Sequence, residues 1–198
     1  MKKQESLLYT IKKKINYRSN FVKSMNSEDI EEKIIKFLEM ERIPFKKSES
    51  TLSDFFNFQF IIDHPISVSI GQLKDFPHRI DVVSNIRFAP QHIEIITDKK
   101  YKNETNKMIN DIITWLSPRE PEFRIELSAP MIQDDELKSK LSGMTFQPHY
   151  MVYLPVYADE LSISRLMQVI RLVAKSSAIA KKLIQDNLNP IIQRGPET

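Results

Sequence analysis

The sequence predicts an α+β protein: an antiparallel sheet of five to six strands with helices packed on one face, in the order α-β-β-β(-β)-α-β-β-α. Three observations predict it. Apolar residues fall at every second position in several short segments, the period of a half-buried strand. Three other segments carry apolar residues at helical spacing. The strands come in runs, without the single alternation of strand and helix that builds a parallel sheet.

The first element is a helix over 27–41. Ser27 can cap it, Glu28, Asp29, Glu31 and Glu32 place negative charge at its positive end, and Ile30, Ile34, Phe37 and Leu38 form one stripe. Ile43-Pro44 ends it, because the residue before proline avoids helical geometry. Strands follow at 45–49, at 56–63 with Phe56, Phe58, Phe60 and Ile62 on one face, at 66–71, and at 80–88. Alternation with polar residues makes these antiparallel, with one face on a core and the other wet. Residues 91–100 fit a strand end or a helix start. A helix over 102–116 buries Met108, Ile109, Ile112, Ile113 and Leu116, and Pro118 follows it. Phe123, Ile125 and Leu127 then alternate as a strand, and a polar segment at 133–143 leads to a strand over 148–157. The last helix runs over 162–187. Its middle, Ala174 to Ala180, is rich in small residues that allow close approach to a sheet, and Pro190 and Gly195 end the ordered chain.

Composition narrows the functional classes. The 198 residues contain no cysteine, which excludes disulfides, thiolate metal sites and a cysteine nucleophile. A cytoplasmic location fits this, and no apolar run reaches the roughly 20 residues of a membrane span. Residues 1–24 hold seven of the 29 Lys and Arg but only one of the 26 Asp and Glu. The net charge of +3 therefore divides into +6 for this segment and −3 for the rest. We read 1–24 as a basic N-terminal extension and 25–198 as a single domain, with Met25 as an alternative start. Lys12, Lys13, Lys14 and Arg18 are candidate contacts to nucleic acid or another anionic surface. A nucleic-acid role does not suit the mildly acidic body.

No familiar reaction chemistry can be written onto the body. Gly71, Gly143 and Gly195 are the only glycines and stand far apart, so neither a phosphate-cradling loop nor a nucleophile elbow is present. His64, His78, His92 and His149 each lie within two residues of a proline and read as boundary residues with their polar tips in water. A metal site would have to gather His78, His92 and Asp75 or Asp81 across strands. Asp134-Asp135-Glu136 and Asp159-Glu160 suit a polar loop and a helix start. An unrecognised catalytic site would draw on His78, Arg79, Arg87 and His92. No catalytic residue, cofactor or metal is therefore assigned.

The strand at 148–157 stands out. Tyr150, Val152, Leu154 and Val156 form one face, and Met151, Tyr153, Pro155 and Tyr157 the other, so both are largely apolar. Pro155 cannot donate to a ladder and favours an edge or a strand end. An edge strand with a second apolar face calls for a cover, either a second copy, an extended peptide or residues 1–24. The alternative is a central strand covered by two layers of its own chain. Met151, Tyr153, Pro155 and Tyr157 are thus candidate interface residues.

The element order over 27–187 resembles the type III secretion chaperone-like fold, including YbjN-like proteins, and uncharacterised archaeal families of that architecture. The resemblance implies a homodimer that binds extended segments of partner proteins without enzymatic activity. It rests on element order alone and transfers no residue. The expected function is a non-enzymatic, homodimeric protein-binding or chaperone-like module. The alternatives are anionic-surface binding through 1–24 and an enzyme with an unrecognised site.

Overall fold

The computed structural model describes residues 25–48, 55–63, 66–127 and 148–194. Helix α1 (Ser27–Met40) is capped by Asn26, one residue earlier than the sequence suggests, whose side chain accepts the Asp29 N–H at 2.7 Å. The helix closes through Arg42, at φ 55°, and the Ile43 N–H then bonds the Leu38 carbonyl at 2.9 Å. Four strands follow: β1 (Lys46–Lys47), β2 (Phe56–Ile62), β3 (Val68–Leu73) and β4 (Arg79–Arg87). Next come α2 (Pro90–Thr97), a short 3-10 turn, and α3 (Lys102–Leu116). Strands β5 (Glu122–Glu126) and β6 (His149–Tyr157) and helix α4 (Ile163–Arg194) complete the order.

The six strands form one antiparallel sheet in the order β1-β2-β3-β4-β6-β5. The fold is α+β, as the sequence indicates. Four described helices, rather than three, accompany the sheet. The ambiguous stretch after Phe88 resolves into α2, started by Pro90, a position where the missing N–H costs nothing.

Side chains on one sheet face meet the helices in two apolar clusters. The first joins Ile30, Ile34 and Leu38 of α1 to Phe58, Phe60, Ile70, Ile80 and Val82 and to Leu166 and Val173 of α4. The second joins Met108, Ile112 and Leu116 of α3 to Tyr150 and Val152 and to Ala180, Ile184 and Leu188 of α4. Helix α4, 32 residues long, runs through both. At its crossing of the sheet the fully buried Ser177 hydroxyl donates to Ser84 Oγ at 3.0 Å, and Ser84 donates to the Ser67 carbonyl at 2.9 Å. The small-residue segment at 174–180 thus brings helix and sheet close while keeping both hydroxyls paired.

Four sequence expectations are corrected. Ile113 of α3, placed in the buried stripe by its spacing, is 49% exposed, and His92, expected to keep its polar tip in water, is buried against Asn189. Pro190 does not end the last helix, which continues to Arg194. The Asp186 carbonyl loses its helical donor there, but Leu188 is fully buried and Asn189 Oδ1 meets His92 Nε2 at 3.0 Å. Leu188 and Asn189 before the proline and Ile191 after it, packed against the second cluster, hold the helix together. The strand over 149–157 is not an edge either, since it lies between β4 and β5. The Phe88 N–H bonds the Pro148 carbonyl at 3.3 Å, and the Ala158 N–H bonds the His78 carbonyl at 3.0 Å. Even-numbered residues of β6 therefore bond β4, and odd-numbered ones turn toward β5. Pro155 turns toward β5, whose ladder begins only at the Glu122–Tyr153 pair, so its missing N–H breaks no ladder bond.

Candidate functional site

The sheet face opposite the helices carries the candidate interface residues. Antiparallel pairing lines up the side chains of this outer face in rows. Ile61, Ser69, Val83, Tyr153 and Glu122 form one row across β2, β3, β4, β6 and β5. The next is Gln59, Gly71, Asp81 and Pro155, and a third is Asn85, Met151 and Arg124. Met151, Tyr153 and Pro155 are half-buried, while Tyr157, paired with Arg79 at the end of β6, is 49% exposed. The four residues share one face in the register expected from the sequence, and they are joined there by Ile61 and Val83 of neighbouring strands.

Phe56 extends this apolar surface. A register shift between Phe56 and Phe58 moves Phe56 to the outer face, opposite Leu73. A Cβ on Gly71 would lie 3.1 Å from the Phe56 ring, so the glycine lets the ring settle on the backbone of β3.

Charged side chains hold the aromatic groups in place. The Tyr153 hydroxyl donates to Glu122 Oε2, and the Arg124 guanidinium stands 6.0 Å from the Tyr153 ring. The bond to Glu122, helped by partial burial, pushes the Tyr153 phenol above its ordinary pKa. Arg79 Nε donates to Asp81 Oδ1 at 2.7 Å and lies 5.6 Å from the Phe76 ring. That hydrogen bond raises the guanidinium pKa.

The residues of the alternative catalytic reading are separated. His78 is exposed in the turn before β4, while His92 is buried on α2 against Asn189. Arg79 and Arg87 occupy opposite ends of the nine-residue β4, about 26 Å apart along the strand. Among the described residues no group of three or more His, Asp or Glu is placed to hold a metal ion. Lys12, Lys13, Lys14, Arg18, His64 and Asp134 to Glu136 lie outside the described residues.

Two open cavities lie on the helical side. One, of about 510 Å³, is lined by Glu41, Ile163, Met167, Arg171, Leu172 and Lys175, and Arg171 pairs with Glu41 at 3.7 Å. The other, of about 300 Å³, lies between α2 and the end of α4, beside Ile95, Tyr101 and Ile192. No described helix is long and apolar enough to cross a membrane.

Residues 30–184 match the model of the family described as "Uncharacterized conserved protein (DUF2299)". The chain belongs to this family. The DUF2299 match takes in all six strands, α1 from Ile30 onward, and α4 as far as Ile184. The fold of this family member is also similar to that of a crystal structure of an uncharacterized protein from Methanothermobacter thermautotrophicus. The TM-score is 0.58 at 18% identity, over 79% of this chain and 97% of that one. At that identity the likeness is one of fold. No curated protein matches the chain. Neither finding names a secretion chaperone or a YbjN-like protein, so the resemblance drawn on element order gains no support from them.

The sequence singles out Met151, Tyr153, Pro155 and Tyr157 but misses Phe56, Ile61 and Val83. Ile61 and Val83 interrupt the polar positions of two otherwise alternating strands, and that interruption was the available signal. Phe56 could not be found this way, because strict alternation places it on the core face.

Proposed function

We propose that this chain is a homodimeric protein-binding module of chaperone-like character. Its outer sheet face, centred on Tyr153, receives an apolar segment of a partner protein. One observation carries the reading: Ile61, Val83, Met151, Tyr153, Pro155 and Tyr157 form an apolar surface on the face away from the four described helices. Tyrosine is favoured at protein interfaces because a stiff ring offers large contact area at low entropic cost. Tyr153 is held from two sides, by Glu122 and by Arg124, so little further freedom is lost on binding. Arg79 paired with Asp81 beside Pro155, and Glu122 and Arg124 beside Tyr153, supply the polar groups such surfaces carry.

A heat-unfolded test protein, followed by light scattering, provides the measurement. The wild-type chain slows its aggregation at near-stoichiometric ratios. The exposed-face variants Val83→Glu and Tyr153→Glu, with unchanged far-UV circular dichroism, lose at least half of the protection. Equal protection by the folded variants, or none from the wild type, would sink the reading. The dimer is read separately from the molar mass at micromolar concentration, and a monomer there counts against it.

A further inference from the structure

We propose that the second copy joins along β5, in a two-fold antiparallel pairing centred on Ile125 that runs the two six-stranded sheets into one. This deepens the homodimer reading above and rests on it.

The two sheet edges are unlike. β1 is two residues long, and both are exposed lysines, a combination that blocks edge-to-edge pairing. β5 has five residues and no lysine or proline. Glu122, Arg124 and Glu126 pair with the odd residues Tyr153, Met151 and His149, whose backbone groups turn toward β5. The N–H and C=O groups of Phe123 and Ile125 therefore point away from β6, at an edge that no other described strand pairs. Just beyond them Leu127 is 39% exposed, a large apolar side chain left at the rim.

Charge selects the copy and the register. A two-fold centred on Arg124 would set arginine against arginine and Glu122 against Glu126 of the partner subunit. One centred on Phe123 would set Ile125 against Pro121 of the partner subunit, which has no N–H to offer, and Glu126 against Glu120 of the partner subunit. Centring on Ile125 removes both faults. Arg124 then faces Glu126 of the partner subunit twice over by symmetry, and Ile125 faces its own copy with both backbone bonds exchanged. Phe123 faces Leu127 of the partner subunit on the helical side, which covers the exposed leucine. A five-residue seam is narrow against the roughly 1,000 Å² a stable interface buries. Helix α3 packs beneath β5 and carries the exposed Ile113, so it must contribute area. The affinity expected is micromolar. In this arrangement the two β6 strands stand three strand spacings apart, about 14 Å, and the two Tyr153 surfaces adjoin.

The experiment is sedimentation equilibrium of the full chain from about 1 to 200 μM. It compares wild type, Arg124→Glu, Glu126→Arg and the double exchange, each checked for folding by circular dichroism. Each cross-strand ion pair becomes repulsive on exchange, and symmetry doubles the effect. Each single variant should therefore weaken the dimer at least fivefold, and the double exchange should restore it to within about twofold. Hydrogen exchange should show the Phe123 and Ile125 amides protected in the dimer and unprotected in the dilute monomer. A dimer indifferent to both single exchanges would overturn the seam and leave the homodimer reading standing. A monomer at every concentration would overturn both, with the aggregation assay still deciding whether the outer face binds. Protection of both amides in the monomer would show the edge covered by its own chain and also overturn the seam.

Discussion

Tyr150, like Thr105 and Ser176, buries a hydroxyl that finds no partner among the described residues. The Tyr150 ring packs between Phe88 at 5.2 Å and Phe123 at 5.9 Å. A hydroxyl left unpaired costs folding free energy that a phenylalanine would not lose. Tyr150→Phe is expected to leave stability in urea unchanged or to raise it by about 1 kcal/mol. Burial also pushes the Tyr150 pKa up, because the phenolate is the form it disfavours. The folded state then keeps its proton at a pH where the unfolded chain has lost it, so stability falls as pH rises past the ordinary tyrosine value of about 10. In Tyr150→Phe that alkaline loss should shrink, as read from urea midpoints between pH 8 and pH 11.

Among the elements, α4 does most to organise the molecule, and Pro190 is its weak point. Proline inside a helix removes one bond and crowds the carbonyl four residues back, here that of Asp186. The turn persists because Leu188 is buried and Asn189 meets His92. Pro190→Ala restores the bond and is expected to stabilise the protein by about 1–3 kcal/mol, seen as a higher urea midpoint with an unchanged slope. A loss of stability instead would mean that the proline ring itself packs usefully there.

For the whole molecule the question is whether the two apolar clusters melt as one. They share the sheet, and α4 contributes Leu166 and Val173 to the first and Ile184 and Leu188 to the second. The only tryptophan, Trp115, reports from the second cluster, whereas Leu38 is buried in the first. Leu38→Ala should cost about 2–5 kcal/mol. It should move the Trp115 fluorescence midpoint and the far-UV circular dichroism midpoint by the same amount. If the fluorescence midpoint stayed in place while the other moved, the chain would contain two folding units.

The sequence by itself determined most of the helices and strands and the buried side of most of them, though not the helix at Pro90–Thr97, the outward turn of Phe56 or the exposure of Ile113. These follow from local period: Ile30, Ile34 and Leu38 share a helix face whatever they pack against, and Phe58, Phe60 and Ile62 share a strand face. It also marked Met151, Tyr153, Pro155 and Tyr157, because alternation assigns faces without a partner being known. Tertiary structure alone decided the neighbours. Pro155 argues for an edge until the register shows that its nitrogen turns to a place β5 does not reach. Pro190 reads as a stop until Leu188 and Asn189 find partners far away in the chain. The outer rows joining Ile61, Val83 and Tyr153, like the open edge at β5, exist only once β6 is inserted between β4 and β5. That insertion depends on long-range pairing and core packing, which no local pattern encodes.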